Sequence, residues 1–222
     1  MKTLKLLIGI ILILGLFLPS TLIASSAGTI TGTISLYKTK VKTAGAKSAK
    51  DVIIYLEKVG DNDFTAPKEH VMIDQQGLTF IPHVTAIQKG TTIEFLNNDN
   101  DNHNVYCLMD SDGAEMDLGT WKPGEMKTHK FEKADVITAL CKLHLEMAAY
   151  IVVLDNPYFT TAEFDETSQT ASYTILHVPP GTYTINVWHK KLKLKLGTGQ
   201  VTVEAGKSTR FDAQITKSKY AQ

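Results

Sequence analysis

Cys141, His144 and Met147 stand as C-x2-H-x2-M, and His103 lies upstream at the head of H-N-V, after a run of Asn and Asp. A soft thiolate, two imidazoles and a weakly bound thioether suit one copper ion that must be held in both of its oxidation states. Donors fixed in a compromise geometry need move little when an electron arrives. A tight loop carrying three of the four, braced by one His from a neighbouring strand, would supply that rigidity.

The elements that must position these residues read as strands. Ile30, Gly32, Ile34 and Leu36 alternate with Thr29, Thr31, Thr33 and Ser35. The same period of two runs through Val52–Leu56, Thr92–Phe95, Thr182–Val187 and Val201–Glu204, and no long run of period 3.6 appears. Turn residues punctuate these runs at 60–63, 89–90, 97–102, 123–124, 179–181 and 205–206. Together they predict an all-β chain. Alternation also puts Ile137, Ala139 and Cys141 on one face, and His103, Val105 and Cys107 on one face, so Cys141 ends a core-facing row.

Length and charge bound the rest. The 222 residues, 43% hydrophobic, allow one or two domains. With 23 basic and 23 acidic residues there is no electrostatic footprint of a nucleic-acid binder. Residues 1–27 read as an export signal: Lys2 and Lys5 precede the apolar run Leu6–Leu18, and Ser25 and Ala27 offer small residues for cleavage. That run is shorter than the ~20 residues a spanning helix needs, so the membrane enters only if the segment is uncleaved. The expected location is periplasmic or otherwise exported, where disulfides persist. A Cys107–Cys141 disulfide is therefore the ordinary alternative to a metal-bound Cys141, with Cys107 otherwise a small buried hydrophobe.

The stretches "FIPHVTAIQKGTTIEFLNNDNDNHNV" and "CKLHLEMAAYIVV" resemble the cupredoxin family, with its F-x-P, its G-x-x-I-x-F strand, its H-N-V and its C-x2-H-x2-M loop before a closing strand. The short His144–Met147 spacing is similar to that of the amicyanins within that family. The resemblance implies a Greek-key β-sandwich with a single type 1 copper. His103, Cys141 and His144 would be its equatorial ligands and Met147 the axial one. It also implies that Asn104 ties the two ligand loops together, and that Leu143 and Leu145 form an apolar docking rim around His144. Ordinary core packing is the other reading of those two leucines. Leu143 and Asn102 stand where the family commonly has Pro.

At the two ends, "GTITGTISL…DVIIYLEK" and "SYTILHVPPGTYTINVWH…GQVTVEAGKSTRFDAQI" resemble the carboxypeptidase regulatory-like (transthyretin-like) sandwich. The expected organisation is a signal at 1–27, a host sandwich from 28–66 and 155–222, and a cupredoxin domain at 67–154 inserted in it. One larger sandwich sharing strands is the alternative. Function then follows as an expectation: an exported carrier of single electrons between redox proteins, such as a cytochrome or dehydrogenase, and not an enzyme. Catalytic copper proteins commonly need further His ligands as H-x-H pairs, which this chain lacks. The rival is a non-redox copper-binding, scaffolding or adhesion module. Asp99 and Asp101 lack the Gly and Glu of a calcium loop and read as a polar turn. The alternating Lys191, Lys193 and Lys195 read as an edge strand protected from aggregation. His70, His83, His129, His177 and His189 share no ligand spacing.

Overall fold

A computed structural model describes residues 26–36, 51–61, 63–107, 115–165, 167, 170–190 and 196–215. Residues 1–25 of the expected export signal and the Lys191–Lys195 run lie outside them. Strands and loops make up the described residues, without a helix. In chain order the strands begin with β1 (Gly28–Leu36), β2 (Ile53–Leu56), β3 (Val71–Gln75), β4 (Phe80–Ile81), β5 (Val84–Gln88) and β6 (Thr92–Asn97). Next come β7 (His103–Cys107), β8 (Met116–Trp121), β9 (Met126–Lys130), β10 (Val136–Leu140) and β11 (Ala148–Leu154). The series ends with β12 (Phe159–Thr161), β13 (Glu163–Asp165), β14 (Thr170–Val178), β15 (Gly181–Trp188), β16 (Leu196–Val203), β17 (Ser208–Arg210) and β18 (Ala213–Ile215).

Two sandwiches result, and the chain enters the second from inside the first. Strands β1, β2 and β12–β18 form the sheets β13-β14-β1-β17, with β18 also on β1, and β12-β2-β15-β16. Strands β3–β11 form the sheets β4-β3-β6-β9 and β5-β11-β10-β7-β8. In the terminal sandwich, Ile30, Ile34, Ile54, Leu56, Ile185 and Val187 close one core. Gly32 keeps the alternation of β1 without a side chain, because a Cβ there would lie 1.8 Å from the Phe211 carbonyl oxygen. Beside it β1 is paired parallel with β17 and β18.

In the inner sandwich, Phe80, Ile93, Phe95, Val105, Ala139, Cys141, Met147 and Ile151 close a second core. A third apolar cluster joins the two bodies. Ile53, Tyr55, Phe159 and Trp188 meet Val84, Ala86, Val136, Tyr150, Val152 and Leu154. The four sheets are therefore stacked face to face. This layering modifies the reading of β2 as an alternating strand, since every residue of Ile53–Leu56 is buried. Ile54 and Leu56 face the terminal core, while Ile53 and Tyr55 face the inner sandwich.

Candidate metal centre

The donor residues come together through the register of three strands. β7 runs antiparallel to β10, with Cys107 opposite Ala139 and Tyr106 opposite Leu140. Continuing that register sets Cys141 beside Val105 and Lys142 beside Asn104, next to His103 at the head of β7. The chain then turns back as a hairpin loop whose base is the Leu140–Ala148 pair of β10 and β11. Inside the loop the Met147 N–H donates to the His144 carbonyl at 3.0 Å, so the loop is closed by its own backbone.

Three donor atoms converge there. The Cys141 Sγ lies 3.9 Å from His103 Nδ1 and 3.8 Å from His144 Nδ1, and the two nitrogens are 3.1 Å apart. It is the one such grouping of His, Cys, Asp and Glu donors among the described residues. Zinc serves as a ruler for a small divalent ion, with bonds of about 2.0–2.1 Å to imidazole nitrogen and about 2.3 Å to thiolate sulfur. Each edge of the triangle is shorter than the two bonds that would span it. One ion of that size could therefore be held by all three atoms. His103 and Cys141 are buried, His144 is half-buried, and Met147 is buried in the same core as Cys141. The donor set fits copper: a thiolate and a thioether are soft, and the imidazoles are borderline. Cys107 and Cys141 are not joined by a disulfide, so the ordinary alternative for an exported pair does not hold here.

Asn104 stands between the two ligand segments. Its amide donates to the Asp117 carboxylate at 2.8 Å and to the Gly119 carbonyl at 2.9 Å, and its oxygen accepts the Lys142 N–H at 3.3 Å. Lys142, next in sequence to Cys141, pairs with Asp117 and lies over the Tyr106 ring. Hydrogen bonds from Lys142, from the Gly119 N–H and from Asn104 hold the Asp117 carboxyl down to about 2. Leu143 and Leu145 are 51% and 85% exposed, so core packing does not account for them.

Sequence reasoning missed one contact. The His103 Nε2 lies 2.8 Å from Asp99 Oδ2, on the side of the ring away from Cys141. The same carboxylate accepts the N–H groups of Gly77 and Leu78, in a β3–β4 turn where both residues have positive φ. The available signal was the four-residue spacing of Asp99 and His103, inside a run that reads equally well as a polar turn. His83 and His70 lie elsewhere, against Lys190 and Glu94 respectively.

Comparison with known proteins follows the same division of the chain. Residues 67–154 match the family model described as copper binding proteins, plastocyanin/azurin family. Residues 157–211 match that of polysaccharide lyase family 4, domain II, and not a carboxypeptidase regulatory-like model. No curated protein sequence matches the chain. Among solved structures, a reduced amicyanin variant is 18% identical over 40% of this chain and 85% of its own, with a TM-score of 0.37. A purple cupredoxin from Nitrosopumilus maritimus is 21% identical over 37% of this chain and 98% of its own, at 0.34. A Cu-containing nitrite reductase from Thermus scotoductus SA-01 is 23% identical over 46% of this chain and 25% of its own, at 0.38.

Proposed function

We propose that residues 67–154 are a cupredoxin domain that holds one copper ion between His103, Cys141 and His144, with Met147 as a weak axial ligand. The protein would carry single electrons between redox partners outside the cytoplasm. The observation that carries this reading is the convergence of one sulfur and two imidazole nitrogens within 4.8 Å of one another. Copper, when bound, supplies the one-electron Cu(I)/Cu(II) couple. The chain's own residues do the rest. Cys141 and His103, buried at the end of a core, keep water from the thiolate. The Leu140–Ala148 pair and the Asn104 hydrogen bonds hold the loop so that the donors stay in place in either redox state. His144 is the half-buried ligand and stands between two exposed leucines, which makes its edge the natural place for electrons to enter and leave. The Leu143 and Leu145 rim would dock an apolar surface of the partner, whether a cytochrome or a dehydrogenase.

Two buried donors leave little room for a substrate on the metal, which favours a carrier over an enzyme. Residues 28–66 and 155–222 would form a host sandwich with no redox chemistry of its own, and residues 1–27 a cleaved export signal. Adding Cu(II) to the full chain is the test. An intense visible thiolate-to-copper band and reversible reduction are expected, both lost in Cys141→Ser. Colourless copper, or a spectrum indifferent to that substitution, would overturn the carrier and leave a non-redox copper-binding or scaffolding module.

A further inference from the structure

We infer that Asp99 is a positioning residue for the metal centre: its carboxylate fixes the proton of His103 on Nε2, turns Nδ1 toward Cys141 as an electron-pair donor, and makes that donor more basic. The inference rests on the copper reading of the site but concerns a residue outside the ligand set.

The geometry has three parts. His103 is fully buried, so both ring nitrogens must find partners inside the protein. Nδ1 faces the cluster, 3.1 Å from His144 Nδ1 and 3.9 Å from Cys141 Sγ. Nε2 meets Asp99 Oδ2 at 2.8 Å. An ionised carboxylate only accepts, so the shared proton sits on Nε2 and the lone pair on Nδ1.

Asp99 is itself held in place. Its backbone N–H donates to Asn97 Oδ1 at 3.0 Å. Its side chain receives the Gly77 N–H at 2.7 Å and the Leu78 N–H at 2.9 Å. Asn98 spans the same two segments, with its N–H on the Gln75 carbonyl and its amide on Asp74. The β3–β4 turn thus serves as a fixed anchor behind the imidazole. A carboxylate behind a ligating imidazole orients the ring and raises its basicity. A more basic ligand favours Cu(II) over Cu(I), so Asp99 lowers the reduction potential.

Asp99→Asn tests this, because an amide keeps one acceptor oxygen for the turn but removes the charge and the second acceptor. In the metal-free protein, nitrogen NMR should find His103 as the Nε2–H tautomer, and a mixture in Asp99→Asn. In the copper-loaded protein the substitution should weaken Cu(II) relative to Cu(I) about 10–100-fold. The potential would rise about 59 mV for each tenfold, and Asp99→Glu should restore part of the shift. An unchanged tautomer and potential, with only thermal stability reduced, would make Asp99 a structural clamp and overturn the inference. Failure of the copper reading would show separately, as loss of the thiolate band in the unsubstituted protein. The tautomer measurement still decides the role of Asp99 in that case.

Discussion

Asn104 shows how much of the candidate centre depends on groups outside its three converging donors. It joins the head of β7, the β8 strand and the first residue after Cys141 through three hydrogen bonds. Asn104→Ala would leave the Lys142 N–H and the Gly119 carbonyl without these partners, at a cost of about 1–3 kcal/mol. Chemical denaturation of the metal-free protein checks this. The Asp117–Lys142 pair beside it has a definite pH signature. The folded Asp117 value, about 2, lies below the ordinary 3.8. Its contribution to stability is therefore complete above the ordinary value and is lost as the pH falls through the folded one. Acid should weaken the metal-free protein between roughly pH 4 and 2, and Asp117→Asn should flatten that part of the pH–stability curve. Asn104 and Asp99 were unequally legible. The first could be assigned from its place in H-N-V. The second lies in a stretch of Asn and Asp whose composition predicts a turn whatever its carboxylates hold. Only the folded chain brings Gly77 and Leu78 to it, from a turn that composition had not marked.

At the scale of elements, β10 and β2 differ in how far pattern reading reaches. In β10 the row Ile137, Ala139, Cys141 was readable because one face meets a core, and the structure buries Ala139 and Cys141 on that face. In β2 the same alternation hides a second partner. Ile53 and Tyr55 would ordinarily look outward, and no local signal says that another sheet covers them. Burial raises the Tyr55 hydroxyl to about 12, with Glu57 adding to the effect. Ile54→Ala and Ile53→Ala should therefore both be costly, each about 2–5 kcal/mol. A truly solvent-facing Ile53 would cost little, so equilibrium unfolding of the two variants separates these readings.

For the whole molecule, the third cluster should make the two sandwiches behave as one body. Each contributes strands to a shared apolar layer, and the layer is fastened at its margin. There Gln88 donates to the carbonyls of Phe64 and Thr65, and Lys190 reaches both His83 and Asp51. The two tryptophans report on different parts of it. Trp121 lies in the inner core and Trp188 in the shared layer. With Trp121→Phe and Trp188→Phe as single-reporter variants, the two fluorescence transitions in denaturant should coincide, as expected of one cooperative unit. Separated midpoints would mean that the sandwiches unfold independently.

The parallel pairing of β1 with β17 and β18 bears on how the molecule would respond to force. A pull on the two ends of the chain would draw β1 and β18 past each other along their length, loading their hydrogen bonds in shear all at once. The inner sandwich leaves and rejoins the chain between those strands, so it would carry no tension while that clamp holds. A protein tethered at one end and bound at the other could thus be stretched with its metal centre mechanically at rest.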